Sequence, residues 1–322
     1  MDLERFRRKS FLVVGRAGMD LYADPPGTRI EEAISFTSAL GGSAANIAAG
    51  ICRLGGTAAL LTAVSDDAVG RYISAQLRAF GIDPQYVAIV QGEPRTSLAV
   101  VETRAENCQS VIYRNNAADF QLSVEQAGKV DLSNFGALII TGTALALDPS
   151  RSATFDLLHR AKSASLPVMI DLDYRPYSWT SRLEARQICA EATELADIIV
   201  GNDLEFDLLA GSTDAGLELA RQMAAKPGAI AIHKLGEKGL VCFSNDKAIE
   251  LPVFPVQALK PTGAGDAFLA GFCTALASGS TLPDALRCGS AAAAIVVTRV
   301  GCAPANPTEV ELADFLSIQT EN

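Results

Sequence analysis

The chain reads as an α/β protein, a mainly parallel sheet with helices on both faces and a small β-sheet beside it. Three observations lead there. From Leu138 onward, runs of continuous apolar residues alternate with stretches of helical period, and strands apolar at every position are those buried on both faces. Between Thr96 and Arg114 the apolar residues alternate only in part, as on a sheet with one wet face. With 322 residues, 49% apolar and 20% charged, the chain can bury about three-quarters of its surface in a sizeable core.

The elements follow in order. Residues 11–14, an apolar run ending at Gly15, form the first strand. Residues 20–40 lack helical period and contain Pro25, Pro26 and Gly27. GGSAANIAAGICRLG, from Gly41, reads as a loop breaking into a helix whose small residues let it pack closely. A strand at 57–64 precedes a helix at 67–81, where Val69, Ile73, Leu77 and Phe80 recur at spacings of three and four. Residues 87–90, 96–102 and 109–114 are extended, and the last two flank RAEN as a hairpin turn, which predicts a small flap.

Beyond Leu138 the rhythm is ALIITG, a helix over 150–165, PVMIDLDYR, a helix over 181–195, ADIIVGN, a helix near 215–225 and AIAIHKLG. Residues 240–243 and 249–253 extend the sheet antiparallel, and 266–278 and 282–297 are alanine-rich helices. No repeat or linker interrupts the chain. One domain over 1–322 is expected, with a lid from segments near 17–38 and 95–116.

Composition excludes several functions. The 27 Lys and Arg against 37 Asp and Glu leave a net charge of −10, a poor match for nucleic acid or anionic membranes. Seven cysteines without a CxxC pair read as free thiols packed in a reducing compartment. Only His159 and His233 are available for a histidine metal centre. The opening MDLERFRRKS mixes acids with bases before a short strand, so no secretory leader is expected and the location is read as cytoplasmic. No apolar tract is long enough to span a bilayer.

The chemistry concentrates in KPTGAGDAFLAGFCTAL, residues 260–276. Gly263, Ala264 and Gly265 crowd a helix start, where unpaired N–H groups and the positive dipole end hold anions. Asp266 at that start is either a helix cap or a base taking a proton from a nucleophile. The GxxxxGK[ST] phosphate loop is absent throughout, and so is the GxGxxG fingerprint of dinucleotide-binding dehydrogenases.

Together these pieces resemble the PfkB carbohydrate kinase family, which has the ribokinase-like fold, over nearly the whole chain. Its C-terminal signature, usually DTxGAGD, stands here as Lys260-Pro261-Thr262-Gly263-Ala264-Gly265-Asp266. Its N-terminal signature stands as Gly41-Gly42-Ser43-Ala44-Ala45-Asn46-Ile47-Ala48, and its NxxE as Asn202-Asp203-Leu204-Glu205. The resemblance implies a three-layer sandwich with a small β-sheet lid, and an ATP- and Mg²⁺-dependent phosphotransferase. By the same resemblance Asp266 deprotonates the attacking sugar hydroxyl and the glycine turn holds the developing charge. Asn202 and Glu205 organise Mg²⁺, Glu205 through water. Asp20, Gly42 and Asn46 contact sugar, the plainer readings being a helix cap for Asp20 and a core amide for Asn46.

For the nucleotide, the resemblance implicates Lys234, Gly236 and Gly239 in HKLGEKG, and Ser290 with Gly289 and Ala293 beside adenine. A solvated lysine and ordinary helix packing are the alternatives. GRAGMDLYAD, CQSVIYRNNAAD and DLDYRPYSW look like the branch acting on 5-dehydro-2-deoxy-D-gluconate in myo-inositol breakdown; 2-keto-3-deoxygluconate kinases are the nearest alternative. Both substrates are sugar acids. Arg114 on the flap is expected to clamp the carboxylate, unless it is a plain surface arginine. Arg175, held by Asp173, is expected at the transferring phosphoryl group. Tyr113 and Trp179 either wall the pocket or belong to the core. Most relatives have Asp at the position of Lys260, as part of a K⁺ site, so K⁺ activation is not expected to carry over. A neutral-sugar kinase of the fructokinase or ribokinase type and a non-enzymatic sugar or nucleotide sensor are the other readings. The flap's edge strands offer a pairing surface for a homodimer.

Overall fold

The computed structural model describes residues 3–319, and the chain divides into two compact units. One comprises residues up to 15 with 120–253; the other comprises 16–119 with residues from 254 on. Each is made of two separate stretches of sequence, which is why no linker composition marks a boundary.

In the first unit the strands run in the order Lys247–Leu251, Leu240–Ser244, Ile230–Lys234, Ile198–Asn202, Val168–Asp171, Ala137–Thr141, Ser10–Val14. The last five are mutually parallel. The first two add an antiparallel edge, as expected. Ala137–Thr141 and Val168–Asp171 are buried at every residue, the pattern of a strand covered on both faces. Asn245 and Asp246 link the two edge strands with φ of 48° and 59°, the two positive values that a two-residue hairpin of type I′ requires.

The expected helices appear as Ser150–Ser163, Arg182–Thr193 and Gly216–Met223. Four helices were not expected from the sequence: Leu3–Phe6, Val124–Gly128, Asp203–Ala210 and, in the second unit, Glu309–Ile318.

In the second unit Gly18–Asp24 is central to a four-stranded sheet. It pairs antiparallel with Ser35–Gly41 and parallel with Leu98–Val101, which pairs antiparallel with Ser110–Tyr113. The hairpin across RAEN is therefore present. Residues 20–40, read as non-helical and as part of the lid segment near 17–38, supply two of the four strands. Thr57–Ser65 pairs in parallel with Val87–Val90.

Helices Ser43–Arg53, Ala264–Ala277 and Leu282–Val297 pack against one another through small residues. A Cβ on Gly289 would stand 2.7 Å from the Phe268 carbonyl oxygen, so these backbones approach closer than any side chain permits. All seven cysteines are free, and no helix among the described residues is long and apolar enough to cross a membrane.

Candidate active site

Helix Ala264–Ala277 begins at Gly263, which has φ 85° and on which a Cβ would lie 2.8 Å from Cys302 Sγ. Conformation and space both require glycine there. Helices at Ser181, Thr281 and Thr308 carry side-chain caps on their first N–H groups. Gly263 supplies none, which leaves the first-turn N–H groups for an anion.

Asp266 sits in that first turn, but its carboxylate reaches across to another helix. Oδ1 accepts from Ser43 Oγ at 2.6 Å, and Oδ2 accepts from Asn46 Nδ2 at 2.8 Å. Both donors lie in the first turn of Ser43–Arg53, a second helix with a glycine cap, Gly42 at φ 96°. The two signature segments thus meet at one carboxylate, which Ser43 and Asn46 orient. Asn46 is buried with Oδ1 lacking a partner.

Asp20 lies in the middle of a strand, so the helix-cap reading fails. It is buried, with Oδ1 3.5 Å from Arg16 Nη2. The Tyr22 hydroxyl stands 3.2 Å from both Asp20 Oδ2 and Cys302 Sγ. Burial pushes the Asp20 carboxyl up, against the pull of Arg16.

Lys260 is fully buried and donates to the carbonyls of Thr262, at 2.5 Å, and Val296, at 3.4 Å. Burial draws its ammonium pKa down, and nearby Asp266 and Asp20 oppose that.

The first unit gathers a charged cluster at the carboxyl ends of its parallel strands, the usual ligand face of such sheets. Lys234 Nζ lies 3.2 Å from Asp171 Oδ1, which rules out a free solvated lysine. Asp173, at φ 35°, holds Arg175 Nη2 at 2.7 Å and accepts from Thr143 Oγ1 at 3.3 Å. Arg175 is half exposed.

Asn202 and Glu205 form a capping box on Asp203–Ala210. Asn202 Oδ1 accepts from Glu205 N at 3.1 Å, and Glu205 Oε2 accepts from Asn202 N at 2.8 Å. Glu205 Oε1 accepts from Tyr174 N at 3.1 Å. Burial pushes its carboxyl up to about 7 in spite of Lys234. No trio of His, Cys, Asp or Glu among the described residues is placed to hold a metal ion.

The other expected residues differ in burial and in partners. Arg114 is buried, not a surface arginine, and its Nε and Nη2 both bond Asp119 Oδ2. Tyr113 is exposed and leaves the core reading. Trp179 is buried with the Arg151 guanidinium over its ring, which makes it core. Gly239 is required by its own hairpin, since a Cβ would meet the Leu251 carbonyl oxygen at 2.0 Å. Gly236, also at positive φ, has open space around it, and Ser290 is half-buried on Leu282–Val297. Ser43 and Asp171 were not singled out as site residues. Asp171 did carry a signal, a lone carboxylate ending the apolar strand VMID.

A model of the pfkB family of carbohydrate kinases matches residues 8–309. The chain is 36% identical to a 5-dehydro-2-deoxygluconokinase of Photobacterium profundum, covering 99% of this chain and 98% of that one. It is 35% identical to a 5-dehydro-2-deoxygluconokinase of Geobacillus kaustophilus, covering 95% and 93%. Among solved structures it superposes, with a TM-score of 0.84 and 25% identity over 95% of this chain and 98% of that one, on a fructokinase double mutant of Vibrio cholerae in fructose, ADP and potassium ion bound form.

Proposed function

The chain belongs to the pfkB family of carbohydrate kinases, and from that premise we infer that it moves the γ-phosphate of ATP to a hydroxyl of a sugar acid, 5-dehydro-2-deoxy-D-gluconate being the best supported. Two relatives of that name, 36% and 35% identical over nearly their full length, support the substrate. The observation that carries the chemistry is the Asp266 carboxylate, oriented by Ser43 and Asn46 beside an uncapped helix N-terminus.

The geometry supports the following roles. Asp266 takes the hydroxyl proton as the new O–P bond forms and the bond to the ADP oxygen breaks. The N–H groups at Gly263, Ala264 and Gly265 receive charge that develops on the transferring group. Asp20 and Asn46 accept hydrogen bonds from sugar hydroxyls. Arg175, fixed by Asp173, and Lys234 meet phosphate oxygens.

Both Glu205 oxygens are engaged by backbone N–H groups, so the residues fit a divalent ion that arrives on the nucleotide and is met through water. Glu205 and Asn202 are the residues that would hold it. When bound, Mg²⁺ neutralises phosphate charge. The Vibrio cholerae enzyme binds potassium; here the Lys260 ammonium, between two backbone carbonyls, takes that electrostatic role. A second copy would pair at the small sheet's edges, Ser35–Gly41 or Ser110–Tyr113.

The test is a coupled assay across sugar acids and neutral sugars, with Asp266→Asn alongside. The variant is expected to keep ATP binding and lose at least about 100-fold in turnover. Turnover near wild type in the folded variant removes Asp266 from the base role. ATP consumption with neutral sugars only overturns the sugar-acid reading.

A further inference from the structure

Arg16 is an arginine that the chemistry above leaves unused. It follows the first strand directly and is buried, and Nε donates to Ser97 Oγ at 2.7 Å. Nη2 faces Asp20 Oδ1 at 3.5 Å, and neither atom has a hydrogen-bond partner in the described structure. A buried guanidinium nitrogen without a hydrogen bond is a costly arrangement unless something else completes it.

The surroundings are shaped around this pair. A Cβ on Gly18 would lie 2.7 Å from Arg16 Nη2, and one on Gly41 would lie 1.9 Å from Asp20 Oδ1. Two glycines thus keep open the space that the pair occupies.

Contacts also tie the pair to the reacting end. The Arg16 carbonyl lies against Gly42, the cap of the helix whose Ser43 and Asn46 hold Asp266. On the other side, Asp20 is linked through Tyr22 to Cys302, which abuts Gly263. Arg114, the arginine expected from the sequence, already has Nε and Nη2 on Asp119.

We propose that Arg16 is the residue that selects an anionic sugar, its guanidinium receiving the substrate carboxylate while Ser97 and Asp20 fix its orientation. Resting on the sugar-acid reading above, this names the group that enforces it. A planar fork with one end anchored matches a carboxylate's two oxygens, and an ammonium does not. Asp20, beside it, accepts from a hydroxyl of the same sugar.

The probes are gluconate and sorbitol, alike except that sorbitol has no carboxylate, as competitive inhibitors of ATP-dependent phosphorylation by the full chain. Wild type should bind gluconate more tightly. Losing the charged partner should cut that preference by about 30-fold in Arg16→Met. Arg16→Lys, which keeps a charge beside Asp20, should fall between, and Arg114→Met should keep the preference. Wild type without a preference would sink the sugar-acid reading itself. A wild-type preference that is kept undiminished in either Arg16 variant overturns the proposal while leaving that reading intact. Should Arg16→Met fail to fold, the lysine variant alone decides.

Discussion

Lys260 places a positive charge beside the glycine turn. It is wholly buried, and its ammonium meets the Thr262 carbonyl on the glycine turn and the Val296 carbonyl in the last turn of Leu282–Val297. Terminal carbonyls of a helix lack intrahelical partners and carry the negative end of its dipole, which favours a cation there. A tethered ammonium offers that charge without a bound ion. The initial rate should therefore be nearly equal in K⁺ and tetramethylammonium buffers at matched ionic strength, with Mg²⁺ still required. A tenfold gain from K⁺ would mean that Lys260 leaves a separate cation site intact. Arg114 marks the limit of reading such residues from sequence. Its strand position was legible, but burial against Asp119 is a tertiary fact that no spacing reveals.

At the scale of elements, Asn202 and Glu205 serve two ends with one spacing. The N-cap and third helical position are three residues apart, so an NxxE motif after a strand is also a capping box. Asn202→Ala should cost about 1 kcal/mol of stability without any ligand. An unchanged melting temperature would confine the motif to ligand binding. Glu205 adds a pH signature. Its folded pKa, about 7, lies above its ordinary 4.5, so its stabilising contribution is full below about 4.5 and is lost as pH rises through 7. The stability advantage of wild type over Glu205→Gln should shrink from pH 5 to pH 8, and an advantage that grows would reverse this assignment.

The parallel strands of the first unit were legible because apolar runs such as ALIIT are what a strand buried on both faces requires. Asp203–Ala210 was not, because it starts directly after a strand, with no loop to announce it. The signature segments revealed Asp266 and Asn46, yet the engagement of both carboxylate oxygens by Ser43 and Asn46 needed the fold.

Over the whole molecule, a net charge of −10 must coexist with binding of ATP and, by the reading above, an acid. The long-range field repels both, so attraction has to be local. The cations at hand suit that requirement: Lys260 is buried, Arg16 nearly so, and Lys234 is mostly covered. Charges removed from water are screened far less by salt than exposed ones. Raising ionic strength from about 0.01 M to about 0.1 M shortens the Debye length from about 30 Å to about 10 Å, which weakens the global repulsion and leaves the buried contacts almost untouched. Accordingly, kcat/KM for the sugar acid, measured with saturating ATP and fixed Mg²⁺ in tetramethylammonium chloride, should hold or rise over that range, while a neutral analogue stays level. A several-fold fall for the acid alone would place its carboxylate on exposed, screenable cations, and would count against a buried Arg16 as the group that receives it.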